Sequence, residues 1–335
     1  VIKTAIALFV LLTAVAYSVW LERKLVGHIQ NRWGPTRVGP FGLLQPLADG
    51  IKFILKEDLT PPYVYKPLYI AAPMIAVVFA LSSIAVIPVG NSITIHGITT
   101  PLQITDLNIG LLVVLGITSM GVYGVALAGW SSNSKYSLLG SLRASAQMVS
   151  YEIALGLSLI GVLIMAGSFS LREIVDAQSG TFWGFIPRWN IFQGQIVGFF
   201  VYLMAAFAET NRVPFDLPEA ETELVAGYHT EYSAMKFAMF FMAEYANMLT
   251  VACLASLLFL GGWHGPLFGP TWLQAILPLF WFFLRVFFFL FLYIWIRGTL
   301  PRFRYDQLMN FGWKFLFPLA VANLVVTALI VALRS

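Results

Sequence analysis

Residues 236–260 read KFAMFFMAEYANMLTVACLASLLFL. From Phe237 to Leu260 the only formal charge is Glu244, and a helix of that length reaches about 36 Å, more than the ~30 Å of a bilayer's hydrocarbon. The stretch therefore predicts a helix that crosses a membrane with one carboxyl group placed where water is scarce. Seven more apolar runs of similar length lie at about 2–21, 68–89, 107–129, 142–166, 192–209, 272–296 and 314–333. Composition points the same way: of 335 residues, 59% are apolar and 11% charged, and the mean hydropathy is +0.80. A water-facing surface needs about 25% charged residues. The expected fold is an all-α integral membrane protein, one polytopic domain over 1–335 with about eight transmembrane helices.

Basic residues orient the spans. Counting those at the span edges, the first, third, fifth and seventh loops hold seven, two, two and four, while the second, fourth and sixth hold none, two and none. By the positive-inside bias the odd loops are cytoplasmic and both termini lie opposite. The net charge of +4 suits anionic cytoplasmic lipid and is no nucleic-acid signature. The third span is rich in small residues, Gly110, Gly116, Gly121, Gly124 and Gly129, which predicts close helix packing. The first apolar run ends in Glu22-Arg23-Lys24, whereas a cleavable signal carries its charge at the other end.

Soluble-enzyme chemistry is excluded on several counts. There is no phosphate-binding loop, dinucleotide fingerprint, HExxH or G-x-S-x-G. The one cysteine, Cys253, allows no internal disulfide and reads as a buried small hydrophobe. His96 and His264 fall on the far side and His28 and His229 on the cytoplasmic side, so no metal site is expected.

The first cytoplasmic loop, 22–67, is patterned. Within 41–58, Leu44, Leu47, Ile51 and Ile54 recur at helical spacing, and Gln45, Asp49, Lys52 and Lys56 follow it on another face. That predicts an amphipathic helix lying at the interface. Before it comes a tight turn, Gln30-Asn31-Arg32-Trp33-Gly34-Pro35.

Three ionisable residues fall inside spans, and a charge facing lipid costs at least about 2.5–3.5 kcal/mol. Glu152 and Glu244 sit roughly 16 and 12 Å in from the cytoplasmic ends of their spans by helix rise. Ser141, Ser145 and Gly156 share the face of Glu152, Asn247 lies one turn from Glu244, and Arg285 is expected to pair with one of the two acids. The fifth loop, 209–235, adds Glu209, Asp216, Glu219, Glu221, Glu223 and Glu231 against the single Arg212. Asp216 can cap a short helix with Pro218 in its first turn and Glu219 closing a capping box. Glu219 and Glu223, one turn apart, repel each other. Clustered carboxylates resist full ionisation, which suits them to pass protons. A secondary cation/proton transporter would carry the same midplane acids.

Longer blocks carry a resemblance. Leu21-Glu22-Arg23-Lys24, Gln30-x-Arg32-x-Gly34-Pro35-x-Arg37-Val38-Gly39 and Gly42-Leu43-Leu44-Gln45-Pro46-Leu47-Ala48-Asp49-Gly50-x-Lys52 come first. Arg143-Ala144-x-Ala146-Gln147 with Ser150-Tyr151-Glu152, Glu209-Thr210-Asn211-Arg212, Ala243-Glu244-Tyr245 and Pro301-Arg302-x-Arg304-Tyr305-Asp306-Gln307 follow. Together they resemble the quinone-site membrane subunit of respiratory complex I, the H-type chain of bacteria and the first-numbered chain of mitochondria, over essentially the whole sequence. The resemblance implies a membrane subunit of a proton-translocating NADH:quinone oxidoreductase, with quinone as substrate and no cofactor bound by this chain. FMN and iron–sulfur clusters are then expected in partner subunits: peripheral-arm chains carrying the terminal cluster, beside small membrane-arm subunits. It further implies a quinone entrance at Arg32, Ala48, Asp49 and Lys52. The proton path would use Glu152, Glu209, Asp216, Glu219, Glu221, Glu223, Glu231 and Glu244. The expected location is the bacterial inner (plasma) membrane rather than the mitochondrial one. The membrane subunit of a related hydrogenase or formate-oxidising complex would keep the acids without the quinone.

Overall fold

The computed structural model describes residues 2–95, 98–182, 186–216 and 226–334. Glu219, Glu221 and Glu223, the remainder of the capping motif beyond Asp216, and His96 lie outside the described residues. Among the described residues, seven helices are long and apolar enough to cross a membrane: α1 (Ile2–Ile29), α3 (Lys66–Ser82, extended to Ala85 by a 3-10 turn), α4 (Gly110–Ser131), α5 (Lys135–Ala166), α8 (Ala234–Phe259), α9 (Thr271–Thr299) and a final rod. That rod joins α10 (Tyr305–Phe311) to α11 (Phe317–Arg334) through a π turn at Gly312–Leu316. A shorter apolar helix, α7 (Ile196–Glu209), makes the eighth. The short α2 (Gln45–Leu55) and α6 (Leu171–Asp176) lie in loops, and small antiparallel hairpins, Gly90–Ile95 with Ile98–Leu102 and Thr181–Phe182 with Ile186–Pro187, close two others.

Helix α8 is the centre of the bundle, buried at nearly every position from Tyr245 to Phe259. It packs against α1, α3 and α9, while α4 joins α3 to α5, and α5 carries α7 and α11. Gly124 lets α4 meet α3: a Cβ there would stand 2.8–3.1 Å from Ala76. Gly129 meets Ser141 of α5 in the same way. Gly116 and Gly121 meet nothing within 4 Å, so the small-residue reading of this span holds for packing at only part of its glycines.

Several boundaries differ from the apolar runs for one reason. Hydropathy marks the part of a helix that sits in lipid, whereas the backbone ladder continues into the headgroup region. Helix α1 thus runs on to Ile29, which puts Glu22, Arg23 and Lys24 on a helix rather than in a loop, and α5 starts at Lys135. Helix α7 is shorter than its run: 14 residues span about 21 Å. Irregular backbone makes up the difference, and at membrane depth it must be satisfied from within. Asn190 N donates to Gln178 Oε1 at 3.2 Å, Ile191 N to Phe259 O at 3.3 Å, and Gln195 N to Asn190 O at 3.2 Å.

The odd loops gather at one end. Tyr65 N bonds to Ser131 O at 3.0 Å, Phe303 N to Pro214 O at 3.1 Å, and Tyr63 Oη to Glu231 at 2.7 Å. The even loops meet at the other end, through Arg172 with Asp106 at 3.7 Å and His264 with Asp176 at 3.6 Å.

Candidate functional site

Glu244 projects from α8 in the half nearer the odd loops, where Arg212, from the turn after α7, meets it with Nε 2.6 Å from Oε1. The same guanidinium reaches Glu22 Oε2 of α1 at 3.2 Å and lies 4.3 Å over the ring of Tyr245. Tyr245 donates its hydroxyl to Glu22 at 2.8 Å, and Arg297, near the end of α9, closes the network on the other Glu22 oxygen. Two carboxylates thus face two guanidiniums at the junction of α1, α7, α8 and α9. Glu22 is 9% exposed and Arg212 5%. Burial pulls Arg212 toward its neutral form, but Glu244, Tyr245 and Glu22 outweigh it and hold the guanidinium above its ordinary value.

The turn that presents Arg212 is braced from α5. Helix α7 ends at Glu209, so its last carbonyls lack intrahelical partners. Gln147, fully buried, donates to Ala208 O and to Phe215 O, both at 2.8 Å, and Asn211 takes the left-handed conformation at φ 51° to turn the chain. Asp216, at the end of this turn, sits 3.2 Å from Arg302 of the seventh loop.

A cavity of about 40 Å³ lies on the other side of Glu244, lined by Glu209, Thr210, Tyr228, Asn247 and Gly121 among others. That is room for one water, whose share of liquid volume is about 30 Å³, with polar partners in reach. The two carboxyl groups on its wall come from different helices, α7 and α8. Glu152 projects from α5, the helix that packs against both α7 and α4.

The acids foreseen from the sequence therefore divide. Glu209 and Glu244 meet at the cavity, while Glu152 stands on the neighbouring helix α5. Asp216 and Glu231 stand apart, the first on Arg302 and the second on Tyr63, with the Glu231 carbonyl accepting from Tyr69 Oη at 2.6 Å. Arg285 corrects the expected pairing. It donates to the carbonyls of Gly262 and His264 and stacks 4.8 Å from Trp189, toward the opposite end of the bundle. Those carbonyls follow the C-terminus of α8, where a cation is favoured, and the cation that neutralises Glu244 is Arg212. Glu22, Arg297, Tyr245 and Gln147 were not foreseen as site residues. The available signal was Arg212 itself, a lone base among six acids.

At the proposed entrance, α2 leaves Leu44, Leu47, Ile51 and Ile54 exposed. Asp49 bonds to Arg23 of α1 at 2.7 Å and accepts from Gln45 at 2.9 Å, and Phe53 touches Phe237 at the start of α8. Ala48 is half-buried beside Asp49, while Lys52 and Arg32 are exposed, the latter donating to Gln30 at 2.8 Å. The helix ends at Leu55, so Lys56 caps it instead of belonging to its polar face. Among the described residues no group of three or more His, Cys, Asp and Glu could hold a metal ion. Cys253 is a buried free thiol in α8.

A family model described as NADH dehydrogenase matches residues 2–328. The chain is 72% identical to the second H-type subunit of NADH-quinone oxidoreductase from Koribacter versatilis, covering 99% of this chain and 97% of that one. It is 53% identical to the first H-type subunit of the same enzyme from Solibacter usitatus, over 99% and 96% of the two chains, and 51% identical to the second from Geobacter metallireducens, over 99% and 95%. Neither a free-standing transporter nor a hydrogenase component is favoured by such full-length similarity. The chain belongs to the NADH dehydrogenase family, as an H-type membrane subunit of NADH-quinone oxidoreductase, respiratory complex I.

Proposed function

We propose that this subunit starts a proton path from the quinone site, running from Glu244 across the 40 Å³ cavity to Glu209 and on to Glu152. The observation that carries the reading is the pair of membrane-embedded carboxyl groups from two helices on one water-sized polar cavity. Intramembrane acids are costly and mark ion paths. The coupling element is Arg212, which has two carboxylates in reach. A charge change in the quinone chamber that draws Arg212 toward Glu22 leaves Glu244 without its cation, and a carboxylate that loses its cation takes up a proton more readily. Return of Arg212 expels that proton into the cavity. Glu219, Glu221, Glu223, Glu231 and Asp216 serve as the loop-side supply.

The quinone enters beneath α2, whose exposed apolar face lies in the interface, while Ala48, Asp49, Lys52 and Arg32 orient the head group. Such a site needs apolar walls and few polar groups. Peripheral-arm subunits bring the FMN and iron–sulfur chemistry, small membrane-arm subunits flank this chain, and the complex sits in the bacterial plasma membrane. The test is Glu→Gln at 152, 209 and 244, which keeps size and removes the titrating proton. Assembled complex on a native gel should persist, while quinone-linked proton uptake in vesicles falls at least tenfold. Variants that assemble and pump at the parental rate would remove these acids from the path.

A further inference from the structure

One buried amide faces more acceptors than it has hydrogens. The side-chain nitrogen of Gln147 stands 2.8 Å from Ala208 O, 2.8 Å from Phe215 O and 3.2 Å from Asn211 Oδ1, in a residue with no exposed surface. A primary amide carries two hydrogens, so three oxygens compete for two bonds. Turning either amide round does not resolve the competition. A flipped Gln147 would set its oxygen against the carbonyls of Ala208 and Phe215, and a flipped Asn211 would set its nitrogen against that of Gln147.

The three oxygens bracket Arg212: Ala208 and Asn211 precede it in the turn after α7, and Phe215 follows it. With both hydrogens on the backbone carbonyls, the turn is clamped on the two sides of Arg212. With one hydrogen on Asn211, a backbone carbonyl is released and the turn opens on that side. All three acceptors are amide oxygens, so the settings lie close in energy. Arg212 N donates to Phe207 O at 3.2 Å and Phe215 N to Arg212 O at 2.8 Å, so Arg212 moves with the segments that the amide grips. Its guanidinium already reaches Glu244 at 2.6 Å and Glu22 at 3.2 Å, and a small shift of the turn decides which carboxylate it favours.

We infer that Gln147 is a positioning residue for Arg212, and that passage of its two hydrogens among the three oxygens gives the turn two settings, one favouring Glu244 and the other Glu22. This rests on the proton path proposed above and adds the two-state element that lets Arg212 move. Gln147 acts through the turn and carries no proton itself.

The test uses the assembled complex in vesicles, with proton uptake and quinone turnover expressed per complex on a native gel. Gln147→Met keeps the length of the side chain and has no hydrogen to give. Proton uptake per complex should fall at least fivefold, with the Michaelis constant for quinone within twofold of the parental value and NADH oxidation by an artificial acceptor unchanged. Asn211→Gly keeps the positive φ and removes the third acceptor, which leaves each hydrogen one partner and the turn one setting. It should assemble in parental amount and lose at least threefold in proton uptake. Asn211 lines the cavity, so this substitution widens the space and the loss is not obstruction. A purely structural Gln147 predicts less assembled complex with parental uptake in each, and that result would overturn the assignment, as would parental uptake in Asn211→Gly. If Gln147→Met fails to assemble, Asn211→Gly decides alone. Glu244→Gln measured alongside separates the two readings. Parental uptake there removes the path itself, whereas loss there with parental uptake in both turn variants removes only the role of Gln147.

Discussion

Arg212 is the residue on which the buried network turns, because its guanidinium reaches both Glu22 and Glu244. Removing one partner of a buried pair leaves an uncompensated charge and costs about 3–5 kcal/mol. We therefore expect Arg212→Met to cut assembled complex on a native gel to a small fraction. Glu244→Gln, which keeps the Arg212–Glu22 pair, should leave that amount nearly unchanged. Equal assembly of the two variants would mean that the network is not a structural tie. Gly121 is the second informative position. It lines the cavity and an added Cβ meets nothing within 4 Å, so Gly121→Ala should be tolerated. Gly121→Leu adds enough volume to occupy a space sized for one water, and should lower proton uptake at least tenfold with assembly retained; uptake at the parental rate would place the path elsewhere.

At the scale of elements, α2 and α7 have roles that their lengths reveal. Helix α2 is an 11-residue piece with no buried residue, tied to α1 by Asp49–Arg23 and to α8 by Phe53–Phe237. An apolar stripe left open in this way suits a helix seated in the interface. Ala48→Trp should raise the apparent Michaelis constant for quinone severalfold and leave NADH oxidation by an artificial acceptor intact; unchanged quinone kinetics in fully assembled complex would argue against an entrance there. Helix α7 stops short, so the chain turns inside the bundle, and that turn delivers Arg212 to the half of α8 nearer the odd loops. Gln147 supplies the donors that such an interior turn requires.

For the whole molecule, the loops sort by end: the first, third, fifth and seventh meet through Tyr65–Ser131, Tyr63–Glu231 and Phe303–Pro214. The second, fourth and sixth meet opposite, where Arg172 and His264 find Asp106 and Asp176. By the positive-inside bias, the excess of basic residues at the first end predicts that it faces the cytoplasm. Cysteines placed at Asn91 and Asn310, both exposed, should differ in labelling by a membrane-impermeant reagent from intact spheroplasts, Asn91 reacting and Asn310 protected. Equal reaction would break the eight-span arrangement.

The spans, their order and the sorting of odd and even loops to opposite ends follow from the sequence itself, because lipid exposure demands long apolar runs and each run crosses once. The amphipathic α2 was legible for the same reason, its period being local. The acids Glu152 and Glu244 stood out because a charge inside a run is conspicuous wherever it points. Pairing was not legible. Glu22 reads as an edge charge beside Arg23 and Lys24, and Arg212 reads as a stray base in an acidic loop. Arg285 reads as the natural counter-ion since it too lies inside a span. Which cation meets which carboxylate depends on helix rotation, on the early end of α7 and on the turn that Gln147 braces from another helix. These are contacts between residues up to 275 positions apart, and only tertiary packing sets them. The cavity joining Glu209 to Glu244 has the same origin, since its lining comes from five helices and the fifth loop.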